Sequence, residues 1–139
     1  MSMQTEFLIW NEEATDQLAK YIQAGEVVAF PTETVYGLGA DATNPEAVGK
    51  IFSAKGRPAD NPLIVHVVNT EQIERYVAEI SADAKKLIEA FMPGPLTVVL
   101  SSNGKISTQV TAGLDTIGVR IPDHPAAQEL IRKAGLPIA

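Results

Sequence analysis

The sequence predicts one α/β domain built on a largely mixed sheet. Three observations carry that expectation. Segments with apolar residues at helical spacing alternate with short β-branched runs along the whole chain. No repeat, low-complexity tract or linker interrupts them. At 139 residues, with 45% apolar and 20% charged residues, the chain suits one soluble domain that buries a real core.

The elements follow in order. Phe7 to Trp10 is expected as a short edge strand. Asn11 then stands as a helix N-cap, with Glu12 and Glu13 well placed in the first turn. Leu18, Tyr21 and Ile22 fall at helical spacing, and Gly25 is placed to end that helix. Val27 to Phe30 follows as a buried strand stopped by Pro31. Asn44 and Pro45 combine an N-cap with proline at the first helical position. That helix buries Val48, Ile51 and Phe52 and ends near Ala54 or Lys55. Leu63 to Val68 is the clearest strand, with aliphatics on both faces as in a central strand covered on both sides.

Thr70 to Ala78 is expected as a helix, with Ile73 and Val77 four apart. Ser81 caps another, which runs through Leu87 and Ile88 to about Phe91. Pro93-Gly94-Pro95 is a rigid break, Leu96 to Leu100 a strand, and Ser101 to Gly104 a turn. Ile117 to Ile121 forms a further strand before Pro122. Asp123 is expected to cap a helix through Leu130 and Ile131 that Gly135 ends. Leu136 to Ala139 reads as an entering strand.

Composition narrows the chemistry. There are no cysteines, so disulfides and thiolate metal sites are excluded. With two histidines far apart, His66 and His124, a histidine metal site is poorly supported. A net charge of −6 disfavours a broad phosphate-reading surface for RNA or DNA. It does not disfavour a local cation cluster in a cleft. The longest apolar run, Leu63 to Val68 with His66 allowed, is about six residues, against the roughly 20 of a membrane span. No secretory signal is evident, and a cytoplasmic address is expected.

Two polar loops stand out, at Pro31 to Gly39 and at Lys55 to Pro62. Lys55 and Arg57 flank Gly56; they suit an anion, or else close a helix as a solvated basic pair. His66 in its aliphatic strand is either a satisfied structural residue or a donor to a bound carboxylate. Thr32, Glu33, Thr34 and Tyr36 follow a strand, where hydroxyls bind ligands or make local turns. Gly37 and Gly39 lack the third glycine of a dinucleotide fingerprint, and no Walker-type phosphate loop is present. Thr116 and Arg120 flank Ile117 to Val119; Arg120 needs an anionic partner, structural or ligand.

Together these residues resemble the YrdC-like family of threonylcarbamoyl-AMP synthases. The resemblance rests on five ordered blocks: Pro31-Thr32-Glu33-Thr34-Val35-Tyr36-Gly37-Leu38; Lys55-Gly56-Arg57-Pro58; Asn61-Pro62-Leu63-Ile64-Val65-His66; Pro93-Gly94-Pro95-Leu96-Thr97; and Val119-Arg120-Ile121-Pro122. It implies a twisted mixed sheet curled around a positively charged cavity. It implies a nucleotidyltransferase that makes threonylcarbamoyl-AMP and pyrophosphate from L-threonine, bicarbonate and ATP. That product serves tRNA threonylcarbamoyladenosine formation, so tRNA is met indirectly, through the downstream transferase.

By the same resemblance, Thr34, Tyr36, His66 and Arg120 would hold threonine. Lys55, Arg57, Asn61 and Thr116 would hold ATP, with Lys55 and Arg57 as the catalytic cations. Mg2+ would accompany the nucleotide; Glu33, Asp41 and Asp60 are all open as ligands. In the family, a run like Leu136 to Ala139 leads into a Ser-Ala-Asn loop, before which this sequence stops. A truncated domain of poor activity is therefore expected. The alternatives are a non-catalytic RNA-binding module on the same fold and a carbamoyl-transfer domain like that of hydrogenase maturation proteins.

Overall fold

The structure, a computed structural model, describes residues 12–31, 36–55 and 62–139, with the backbone alone at positions 31, 36 and 55. The strand expected at Phe7 to Trp10 and the Asn11 cap lie outside the described residues. Helix α1 (Glu12–Gln23) carries Glu12 and Glu13 in its first turn and buries Ile22 completely. Gly25, at φ 84°, takes the left-handed conformation that ends the helix. Strands β1 (Val28–Pro31) and β2 (Tyr36–Gly39) pair antiparallel, Val28 opposite Gly39 and Pro31 opposite Tyr36. The sequence showed no strand at β2.

Helix α2 (Pro45–Lys55) starts where expected: Asn44 Oδ1 accepts from Glu46 N at 3.0 Å and Ala47 N at 3.3 Å. Strand β3 (Ile64–His66) is shorter than the expected Leu63 to Val68. Helix α3 (Thr70–Glu74) also stops short of Ala78. There Val77 bridges to Ser102, and Ala78 N donates to Ser101 O at 2.8 Å, so sheet pairing takes the backbone from the helix. Ser81 caps α4 (Ala82–Phe91) by accepting from Ala84 N at 3.1 Å. Ala84 and Ile88 face inward, while Leu87 is 44% exposed. Adjacent helical residues point about 100° apart, and the core takes Ile88.

Strand β4 (Val98–Ser101), the unforeseen α5 (Thr108–Thr111), β5 (Thr116–Arg120) and α6 (Pro125–Ala134) complete the chain. The α6 cap is His124, not Asp123: His124 Nδ1 accepts from Ala126 N at 3.1 Å, with Pro125 at the first helical position. Gly135, at φ 69°, ends α6 as expected.

The ladders run β1-β2 and β3-β5-β4, with β3 parallel and β4 antiparallel to β5. Ile138 joins them. It bridges Asp41, just past β2, and His66 in β3. His66 N donates to Ile138 O at 2.7 Å, Ile138 N to His66 O at 3.0 Å, and Ala139 N to Ala40 O at 2.9 Å. The mixed sheet is thus continuous through the segment expected as an entering strand.

One face of this sheet carries Val65, Val67, Val98, Leu100, Ile117 and Val119, all in the larger core beneath α2 and α4. The other face is covered by α1 and α6 around Val28, Phe30 and Ile138. Gly39 belongs to that cover, since a Cβ there would lie 2.5 Å from both Phe30 and Ile138. The cover reaches Val68 but leaves Ile64 41% exposed and Val99 65% exposed. The expectation of a β3 covered on both sides is therefore corrected at Ile64. No helix among the described residues is long and apolar enough to cross a membrane.

Candidate functional site

Side chains alternate along a strand, so Ile64 and His66 share one face of β3, and Thr116, Gly118 and Arg120 share one face of β5. The parallel register sets Ile64 beside Gly118 and His66 beside Arg120. His66 and Arg120 are also the last residues of their strands. Ligands of open α/β sheets gather outside the carboxyl ends of parallel strands, and this sheet brings a histidine and an arginine to that position together.

The surroundings of each are different. The His66 ring stands edge-on to Phe30, with centroids 5.9 Å apart and planes at 85°. That contact places the imidazole at the margin of the α1–α6 cover. Arg120 is 8% exposed, and its Nε donates to Gly94 O at 2.9 Å. Burying a charge away from water is costly unless hydrogen bonds and an anion compensate it. Val67 N donates to Arg120 O at 3.0 Å, continuing the β3–β5 pairing past His66.

Thr116 lies at the other end of β5, opposite Ser101. Four residue steps along the strand separate it from Arg120, roughly 13 Å. Tyr36 begins β2 and Lys55 ends α2, as backbone positions. Thr34, Arg57 and Asn61 lie outside the described residues. Past them, Leu63 N donates to Val110 O, within α5, at 2.8 Å. The structure thus joins His66 and Arg120 and sets Thr116 apart on the same face, while residues 32–35 and 56–61 of the two polar loops lie outside the described residues.

Two residues missed from the sequence also bear on the site. Gly94 holds Arg120 through its carbonyl, and Ile138 holds the His66 backbone on both sides. For Gly94 the signal was its place between two prolines, which fixes a turn but not what the turn touches. For Ile138 it was a β-branched residue in an apolar run. Burial pushes the Tyr76 phenol above its ordinary range, but Tyr76 belongs to the core on the opposite face.

The described residues do not fit a protein-held metal. No group of three potential ligands forms among them. Asp41 Oδ1 already accepts from Thr43 N at 2.9 Å and Thr43 Oγ1 at 2.6 Å, closing the turn before α2. Glu33 and Asp60 lie outside the described residues.

Comparison with known proteins identifies the family. Residues 20–139 match the Sua5/YciO/YrdC family, described as telomere recombination. The threonylcarbamoyl-AMP synthase of Bacillus subtilis is 52% identical over 136 residues, 97% of this chain and 39% of the relative. That of Vibrio campbellii is 38% identical over 88% of this chain and 68% of its own length. The crystal structure of Pyrococcus abyssi Sua5 complexed with L-threonine superposes with a TM-score of 0.90 at 50% identity, over 93% of this chain and 38% of that one. The chain thus spans about two fifths of the Bacillus relative and of the Pyrococcus structure. By sequence and fold alike, the chain belongs to the Sua5/YciO/YrdC family.

Proposed function

We propose that this chain carries the substrate-binding core of an L-threonylcarbamoyladenylate synthase, which makes threonylcarbamoyl-AMP and pyrophosphate from L-threonine, bicarbonate and ATP. The observation that carries the proposal is the pairing of His66 with Arg120 at the carboxyl ends of two parallel strands. The relatives' activity and the L-threonine complex of the Pyrococcus protein supply the substrate class. In this assignment Arg120 takes the threonine carboxylate as a charge-assisted partner, and His66 donates beside it. Thr34 and Tyr36 would contribute further contacts to the amino acid.

Threonine's amine and bicarbonate condense to a carbamate with loss of water. The carbamate oxygen then attacks the α-phosphorus of ATP, and the bond to the β-phosphate oxygen breaks to release pyrophosphate. The nucleophile is already an anion, so no strong general base is required. Catalysis is then positioning plus charge neutralisation. Lys55 and Arg57 would neutralise the phosphates, with Asn61 and Thr116 along the nucleotide. The separation of Thr116 from Arg120 along β5 suits two substrates laid side by side on one face. Magnesium, when it accompanies ATP, adds positive charge at the phosphates. The product would reach tRNA through a separate transferase in the cytoplasm.

Arg57→Ala tests the division of labour. It is expected to weaken ATP binding by on the order of 1.5–3 kcal/mol, the scale of one charge-assisted contact, and to leave L-threonine binding nearly intact. Isothermal titration with each ligand separately, followed by pyrophosphate release with all three substrates, measures both. Equal losses for the two ligands would refute the assignment of Arg57 to the nucleotide.

A further inference from the structure

The Pro93-Gly94-Pro95 turn has no part in the chemistry above, yet it makes two contacts with the end of β5. Arg120 Nε donates to Gly94 O at 2.9 Å, and Gly94 N donates to Ile121 O at 2.9 Å. The turn is therefore clamped across consecutive residues, one through a side chain and one through the backbone. We propose that Gly94 is a positioning residue, whose carbonyl fixes the plane of the Arg120 guanidinium so that its Nη edge meets the L-threonine carboxylate.

A guanidinium is planar, so one good bond at Nε sets the direction of the whole fork. A flexible arginine must give up rotamer freedom when it captures a carboxylate; one held at Nε has less to lose. Burial raises the stakes, because Arg120 is 8% exposed and a misdirected buried charge has little water to turn to. The position also demands glycine: a Cβ on residue 94 would lie 2.9 Å from the Phe91 carbonyl oxygen at the end of α4. That oxygen is main chain and cannot swing aside, so any side chain displaces the turn. The flanking prolines stiffen the loop that presents the carbonyl. Helix α4, the turn and β5 thus meet at one residue, Gly94.

This role rests on the assignment of the threonine carboxylate to Arg120, and the test separates the two. The variants are Gly94→Ala, Arg120→Lys and the double variant, each titrated calorimetrically with L-threonine and with ATP. Arg120→Lys keeps the charge but removes the Nε–H. Gly94→Ala is expected to lose about tenfold in L-threonine affinity, the low end for a charge-assisted contact, with ATP affinity unchanged. In the Arg120→Lys background the same change is expected to cost almost nothing further, because both act through one bond. Additive losses, or an L-threonine affinity in Gly94→Ala within about twofold of the parent, would overturn the proposal.

Hydrogen exchange of the Arg120 Nε–H, assigned by the loss of its NMR signal in Arg120→Lys, is read in parallel. Slow exchange in the parent that becomes fast in Gly94→Ala supports the clamp; fast exchange in the parent overturns it. If the parent binds no L-threonine, the substrate assignment falls, and the exchange measurement still decides whether Gly94 orients Arg120. If Gly94→Ala does not fold, the exchange measurement on the parent carries the test: slow exchange of the Arg120 Nε–H supports the clamp, and fast exchange overturns it.

Discussion

The two faces of the β3-β5-β4 sheet are covered to different extents, and neighbouring residues show it. On β4, Leu100 is 8% exposed and Val99 is 65% exposed. On β3, Val65 is fully buried while Ile64 is 41% exposed. The buried set lies against the larger core. The opposite set shares its face with His66, Arg120 and Thr116, where the α1–α6 cover gives out. A strand with period two can serve both purposes at once: alternate residues hold the fold while those between them meet a ligand.

Substitution within one strand gives the largest test of that division. Leu100→Ala should destabilise the chain by about 2–5 kcal/mol, the usual cost of a large-to-small change in a core. Urea unfolding should show a lower midpoint with an unchanged slope, and the surviving folded fraction should keep its ligand affinities. A loss below about 1 kcal/mol would mean that the face under Leu100 is not the packed one.

His66→Ala falls between the extremes, because His66 stands where cover and open face meet. Its backbone bonds to Ile138 survive the change. The edge-on contact with Phe30 does not, and such a pair is worth about 0.5–1.5 kcal/mol. The larger effect should be on L-threonine, with affinity down about tenfold. Thermal melting and titration together decide: a loss above about 3 kcal/mol with unchanged L-threonine affinity would assign His66 to the core.

What the sequence revealed of this arrangement followed physical lines. Local signals were readable because they are satisfied locally. Asn44 with Pro45 and Ser81 cap the helices that follow them, and Gly25 and Gly135 end helices with positive φ. Strand β2 was invisible because Tyr-Gly-Leu-Gly has weak strand propensity; its pairing comes from β1, and Gly39 is there to admit Phe30 and Ile138. Helix α3 was overestimated because the pull of β4 on Val77 and Ala78 is tertiary. Asp123 was preferred to His124 as a cap on propensity alone, although Pro125 marks His124 as the cap position.

At the site, the motif blocks named His66 and Arg120, but their adjacency comes from a parallel register that joins residues 54 apart in sequence. The contact from Gly94 was hidden for the same reason, lying 26 residues from Arg120. Periodicity could say that Ile64, His66 and Val68 share a face. It could not say that cover extends over Val68 and stops before Ile64, because α1 and α6 supply that cover from the two ends of the chain.

The smallest expected effect belongs to Val99→Thr, and it bears most directly on whether the second face is open. Threonine keeps the shape and the β-branch of valine, so strand preference at this position changes little. The substitution replaces one methyl by a hydroxyl. In a packed interior that hydroxyl would need a partner or cost about 1–3 kcal/mol. At 65% exposure water supplies the partner, and the stability change should lie within about ±0.5 kcal/mol. Val99 pairs with Gly118 across β4 and β5, beyond the His66–Arg120 pair, so L-threonine affinity should also stay within about twofold. Denaturant titration of Val99→Thr beside Leu100→Ala reads both faces on adjacent residues. A loss at Val99 approaching that at Leu100 would mean that this face is covered in solution. The site would then have to be sought elsewhere than along the exposed side of β5.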